Sequence, residues 1–107
     1  MTGPVVVLSA VGAPPDAERI ARALVEERVA ACVNIVPGIT SIYRWKGAVE
    51  QEGEVLLVIK TIGERVAQLK ARILELHPYE LPEVVVIPIA GGHPPYLAWL
   101  AEQVRPL

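Results

Sequence analysis

The stretch CVNIVPGITSIYRWKGAVEQEGEVLLVIKT, Cys32 to Thr61, decides the fold. Cys32–Lys46 is rich in β-branched and aromatic residues and is interrupted only at Pro37-Gly38, where a bulge or bend is expected. Beyond that break Ser41, Tyr43 and Trp45 share one face of an extended chain, and Ile42, Arg44 and Lys46 the other. KGAV, Lys46 to Val49, reads as a hairpin turn and Glu50–Thr61 as the returning strand. Two long strands joined by a tight turn are antiparallel neighbours, which rules out a simple alternation of strand and helix around a parallel sheet.

The flanks complete the pattern. Val5–Ala10 is a short apolar run closed by Gly12, Pro14 and Pro15, as expected of a buried strand. From Pro15 the apolar period becomes helical, with Ala17, Ile20, Ala21, Leu24 and Val25 on one face and Glu18, Arg22 and Glu26 on the other. Pro15 suits a first helical turn, and Asp16 suits its positive end. Gly63 opens a second helix whose stripe is Val66, Leu69, Ile73 and Leu76. Pro78 stops it and pushes His77 out of helical geometry. Val84–Ile89 is a fourth strand, so uniformly apolar that a central place in the sheet is expected. GGHPPYLAWLAEQV then predicts a turn and a third helix with Leu97, Leu100 and Val104 inward.

Strand-helix-strand-strand-helix-strand with a terminal helix is the α+β, ferredoxin-like split βαβ plan, an antiparallel sheet with helices on one face. A chain of 107 residues forms one domain, 1–107. The sheet's other face would be bare yet apolar. With 52% hydrophobic residues and a mean hydropathy of +0.40, the chain has more apolar surface than one small core absorbs, and a homo-oligomer is the expected outlet. The longest apolar runs fall far short of the roughly 20 residues that cross a bilayer, and no secretory signal is visible at the start. A net charge of −2 with scattered basic residues argues against a nucleic-acid partner. A single cysteine, Cys32, excludes an internal disulfide and fits a reducing cytosol.

Few residues could carry chemistry. His77 is one of two histidines; it either closes a helix by binding its last carbonyls or, aimed by Pro78, ligates a metal. Glu50, Glu52 and Glu54 leave one face of a strand at intervals of about 7 Å. A three-residue hairpin loop would set Lys46 opposite Glu50 and Arg44 opposite Glu52, leaving Glu54 opposite Ile42 without a cation; Glu54 is therefore the preferred oxygen ligand. Cys32, among Ala30, Ala31 and Val33, is either buried packing or a soft ligand. His93 reads as an exposed residue before a helix. Tyr43, Trp45, Tyr79, Tyr96 and Trp99 sit at edges and corners, as interface anchors or as walls of a cleft beside His77. No nucleophile elbow, phosphate-binding loop or dinucleotide fingerprint occurs, so no catalytic reaction is expected.

AACVNIVPGITSIYRWKG with EQEGEV, and HPYELPE, together strongly resemble the CutA family of divalent-cation tolerance proteins, and the resemblance runs over nearly the whole chain. It implies a cytoplasmic homotrimer, similar in architecture to nitrogen-regulatory PII proteins, that serves tolerance of divalent metals, chiefly copper. It also implies His77 and Glu54 as metal ligands at a cleft between subunits. Some members carry a cysteine where this chain has Ser9 and a second histidine where it has Leu76, which weakens the case for a soft copper site. Two other functions stay open: a PII-like small-molecule or protein-binding module in which metal is incidental, and an acylphosphatase-like enzyme, whose phosphate loop is missing from VGAPPDAER. A further protein partner is not readable.

Overall fold

The computed structural model describes residues 2–106; residues 1 and 107, the ends of the expected single domain 1–107, lie outside them. The chain runs β1 (Pro4–Val11), α1 (Pro14–Glu26), β2 (Cys32–Trp45), β3 (Ala48–Ile62), a single 3-10 turn (Gly63–Arg65), α2 (Val66–Leu76), β4 (Val85–Pro88) and α3 (Pro94–Gln103). The four strands form one sheet in the order β2-β3-β1-β4, all pairs antiparallel. This is the ferredoxin-like plan.

The core follows from strand parity. Val5, Val7 and Val11 of β1 and Val55, Leu57 and Ile59 of β3 point to the helices and are buried. Ala17, Ile20 and Leu24 of α1 and Leu69 and Ile73 of α2 meet them in one cluster. Fully burying one Leu or Ile side chain contributes roughly 1.5–3 kcal/mol, so this cluster dominates the stability of the subunit. A smaller cluster docks α3 at one end of the sheet, through Leu100 and Val104 on Ala31 and Ile62.

The fourth strand departs from expectation. β4 is not central; it is an edge strand that pairs only with β1. Its unbroken apolar character is divided between two faces with different surroundings. Val86 packs into the core, while Val85 and Ile87, 47% and 43% exposed, lie on the face away from the helices. Val6, Leu8, Leu56 and Val58 share that face, so it is apolar and open in a single subunit.

The hairpin is longer than the rest of the sheet. β3 pairs with β1 only from Val55 onward, so residues 48–54 have β2 as their sole strand partner among the described residues. At the point of divergence β2 carries one extra residue between Val36 and Ile39, with Gly38 at φ +74. The bulge expected at Pro37-Gly38 is there, and beyond it the hairpin projects from the body.

Candidate functional site

The projecting hairpin turns through two residues, Lys46 and Gly47, between the paired Trp45 and Ala48. Both have positive φ, 49° and 83°, which is the geometry whose twist matches a two-residue antiparallel turn. The expected three-residue loop is therefore corrected. Tyr43 lies opposite Glu50, Ser41 opposite Glu52 and Ile39 opposite Glu54, while Arg44 faces Val49. An odd shift of register exchanges the faces: the three carboxylates share the strand face of Ser41, Tyr43 and Trp45 and are not cross-strand partners of Arg44 and Lys46. Lys46 instead holds its ammonium 5.6 Å from the Trp45 ring centre. Among the described residues, no ion pair forms to Glu50, Glu52 or Glu54.

The segment after α2 closes the other side. Pro78, Tyr79, Glu80, Leu81 and Glu83 face the hairpin across a cleft of about 960 Å³. Five carboxylates (Glu50, Glu52, Glu54, Glu80 and Glu83) line it against one guanidinium, Arg44. Glu80 and Glu83 lie within HPYELPE but are not among the site residues read from sequence, since only the chain's path after α2 places them here, and Ser41 reads only as sharing a strand face with Tyr43 and Trp45. The negative field is felt by the phenols. Loss of surrounding water, then the neighbouring carboxylates of Glu52, Glu54 and Glu50, raise the Tyr43 hydroxyl above its usual range. Tyr79 is raised further, by burial first and then by its bond to Glu54. Glu27, outside the cleft, shows the contrast: Arg72 grips it with Nε to Oε1 at 2.8 Å and Nη2 to Oε2 at 3.0 Å, holding its carboxyl low.

Glu54 does have a partner, though not a cation. The Tyr79 hydroxyl donates to Glu54 Oε2 at 2.7 Å. His77 stands behind that phenol, its ring centre 4.6 Å from that of Tyr79, and is only 7% exposed. Its backbone N–H closes the last turn of α2 onto the Ile73 carbonyl at 2.8 Å, and its ψ of 133° is the extended geometry that Pro78 demands. The ring does not bind the helix's last carbonyls: Leu76 O accepts from Arg19 Nη2 at 3.0 Å. Imidazole Nδ1 accepts the Tyr79 backbone N–H at 3.1 Å. Nε2 lies 2.8 Å from Ala10 O, an acceptor, so Nε2 carries the proton. β4 stops alongside Leu8, and His77 takes a β1 carbonyl just beyond it. Both ring nitrogens are thus engaged.

Of the residues singled out from sequence, Glu54, Tyr43, Trp45 and Tyr79 come together in the cleft, with His77 immediately behind. Cys32 does not join them. It starts β2 at the opposite end of the hairpin, opposite Lys60, half-buried, with Sγ 3.9 Å from Asn34 Oδ1. Tyr96 and Trp99 also lie elsewhere, on α3, their ring centres 5.5 Å apart and both exposed. Among the described residues, no three His, Cys, Asp or Glu side chains converge as a metal site within one chain.

A small antiparallel α+β fold, apolar on its open face and carrying an acidic, aromatic-walled cleft at a projecting hairpin, defines the class. The chain belongs to the CutA1 divalent ion tolerance protein family, whose model matches residues 5–103. The divalent-cation tolerance protein CutA of Thermus thermophilus is 56% identical over 97 residues, covering 91% of this chain and 94% of its own length. A solved structure of the Thermus thermophilus protein superposes with a TM-score of 0.93 at 53% identity, covering 95% of this chain and 99% of that one. The PII-like protein CutA of Nostoc superposes at 0.88 with 44% identity, covering 94% and 97%. A CutA of Archaeoglobus fulgidus described as periplasmic superposes at 0.92 with 34% identity, covering 95% and 99%. No helix of the described residues is long and apolar enough to cross a membrane.

Proposed function

We propose that this chain is a cytoplasmic, homotrimeric divalent-cation tolerance protein that binds its cation in the hairpin cleft and catalyses no reaction. One observation carries the proposal: Glu50, Glu52, Glu54, Glu80 and Glu83 line one cleft, with a single guanidinium among them. Uncompensated carboxylates around a concave surface concentrate cations. Among the described residues one chain supplies no converging set of three ligands, and in this reading a neighbouring subunit completes the site. The open apolar face around Val85 and Ile87 supports that assembly.

Within this reading Glu54 is the first oxygen ligand, and Tyr43, Trp45 and Tyr79 wall the cleft. His77 contributes nitrogen only by giving up the Tyr79 N–H or the Ala10 carbonyl. With both bonds kept it acts by fixing the Tyr79 corner, and the remaining donors are oxygens, which suit harder cations better than copper. Calorimetric titration with Cu²⁺ and Mn²⁺ separates these roles. Glu54→Gln is expected to lose binding of both ions, and His77→Ala to weaken both alike; a loss of Cu²⁺ alone in His77→Ala would make the imidazole a ligand. Equal weak uptake by the wild type and Glu54→Gln sinks the cation site. The second reading, a PII-like small-molecule module recognised by the cleft aromatics, then gains. Light scattering should report three times the subunit mass; a stable monomer at micromolar concentration contradicts the trimer.

A further inference from the structure

The cleft's best-placed carboxylate is already occupied from within. Tyr79 Oη donates to Glu54 Oε2 at 2.7 Å. Two unrelated features hold that hydroxyl where it is. Behind it, His77 grips the Tyr79 backbone N–H through Nδ1 at 3.1 Å and is itself tied to β1 by Nε2–H donating to Ala10 O at 2.8 Å. In front, the chain leaves β1 through Gly12, and a Cβ added there would stand 2.8 Å from Tyr79 Oη. That is closer than atoms of these types approach. Gly12 does not have a positive φ, so its backbone does not call for glycine. What the missing side chain provides is room for the phenol.

Resting on the reading that Glu54 is the cleft's first ligand, we infer that the Tyr79 hydroxyl is a displaceable internal occupant of Glu54, seated by Gly12 and His77, which an incoming cation must dislodge. Gly12 and Tyr79 are then positioning residues for the site. The hydroxyl satisfies the carboxylate when no cation is bound and competes with weakly bound ions, so it sets a threshold of affinity. A hydroxyl at the end of a side chain moves more easily than backbone, so Gly12→Ala should swing the phenol away from Glu54 and leave the fold intact.

The test uses Tyr79→Phe, which keeps the ring and removes the donor, and Gly12→Ala, which keeps the donor and displaces it. Titrated with Mn²⁺ by calorimetry, both are expected to bind about threefold to tenfold tighter than the wild type, the size of one partly exposed charge-assisted hydrogen bond. Binding by the wild type with no gain in Tyr79→Phe overturns the inference. A second measurement needs no metal. The chain has three tyrosines, so 3-fluorotyrosine labelling gives three fluorine resonances, assigned by single Tyr→Phe changes. Glu54→Gln and Gly12→Ala should each move the Tyr79 resonance and leave that of Tyr96 in place. If no protein takes up Mn²⁺, the cation reading falls, and the resonances still decide where the hydroxyl sits: unmoved by both changes, Tyr79 is not Glu54's partner.

Discussion

The β2–β3 hairpin is one antiparallel ladder, interrupted by a single bulge, with two different lives. Its rooted half, around Val55–Ile62, alternates between the buried Val55, Leu57, Ile59 and Thr61 and the half-buried Leu56, Val58 and Lys60. Its projecting half, residues 39–54, leaves Ile42 and Val49 67% and 65% exposed and carries Glu50, Glu52 and Glu54. The backbone pairing is the same in both. Only the rooted half has a helix layer to bury against, so stability accumulates there and charge gathers in the tip. A tip of exposed Ile and Val beside unpaired carboxylates satisfies neither solvent nor core in one subunit, which is why the function proposed for it involves another.

The largest expected difference between the halves comes from truncation. Leu57→Ala removes a side chain with no exposed surface and should cost about 3 kcal/mol by chemical denaturation. Ile42→Ala, at the same ladder's exposed end, should cost under about 0.5 kcal/mol in the isolated subunit. If the trimer forms through the open sheet face alone, Ile42→Ala stays silent in the assembly too. A large effect there would bring a neighbour's surface to the tip.

Next in size is the junction. Gly38, at φ +74 within the bulge, permits the change of direction between the halves. With open space around its missing Cβ, Gly38→Ala pays only the backbone strain, about 1 kcal/mol. Loss of cation uptake without loss of fold in this variant would show that the bulge aims the tip; a loss of stability beyond about 3 kcal/mol would mean that the halves are not separable.

These halves were not equally legible in the sequence. The rooted half announced itself by apolar alternation, and α1 and α2 by period and by their prolines. Pro37-Gly38 marked the bulge. The tip was misread because Lys46 in a left-handed conformation is no recognised turn signal, and the missed two-residue turn moved every carboxylate to the other face. β4's edge position was hidden because a strand apolar on both faces reads as central, although one of those faces is half-exposed here. The Tyr79–Glu54 bond spans 25 residues and the His77–Ala10 bond 67. No local pattern encodes either; they follow from where α2 ends relative to β1.

A smaller effect tests whether the rooted half is fully optimised. Ser9, in β1 opposite Leu57, is buried with its hydroxyl unpartnered. Thr61, on the same face of β3 but opposite Val5, is equally buried, yet its Oγ1 donates to Val29 O at 2.8 Å. Ser9→Ala should therefore stabilise the protein by up to about 1 kcal/mol, whereas Thr61→Val should destabilise it by about as much, because the Val29 carbonyl loses its partner. Thermal denaturation of the pair reads both signs at once. A destabilised Ser9→Ala would mean that the hydroxyl has found a partner across the core.

The smallest expected effect belongs to the tip and to alkaline pH. Tyr43 and Tyr79 both hold their protons more tightly when folded than an unfolded phenol does, through lost hydration first and the neighbouring glutamates second. Both bind the proton in the folded state over a range where the unfolded chain, titrating near about 10, has released it. Their contribution is therefore complete below pH of about 10 and is lost as pH rises from there through the folded values. Because Tyr43 and Tyr79 are 38% and 37% exposed, solvent screens much of this and the fall should be shallow. The phenolate absorbance near 295 nm gives the sharper reading: Glu54→Gln should bring Tyr79 ionisation to lower pH, and Glu52→Gln should do the same for Tyr43. If neither substitution moves the absorbance titration, the carboxylates of the projecting half are not pressing on its phenols. The cleft would then be an open surface whose charges ignore one another, and the contrast between the two halves of the hairpin would reduce to burial alone.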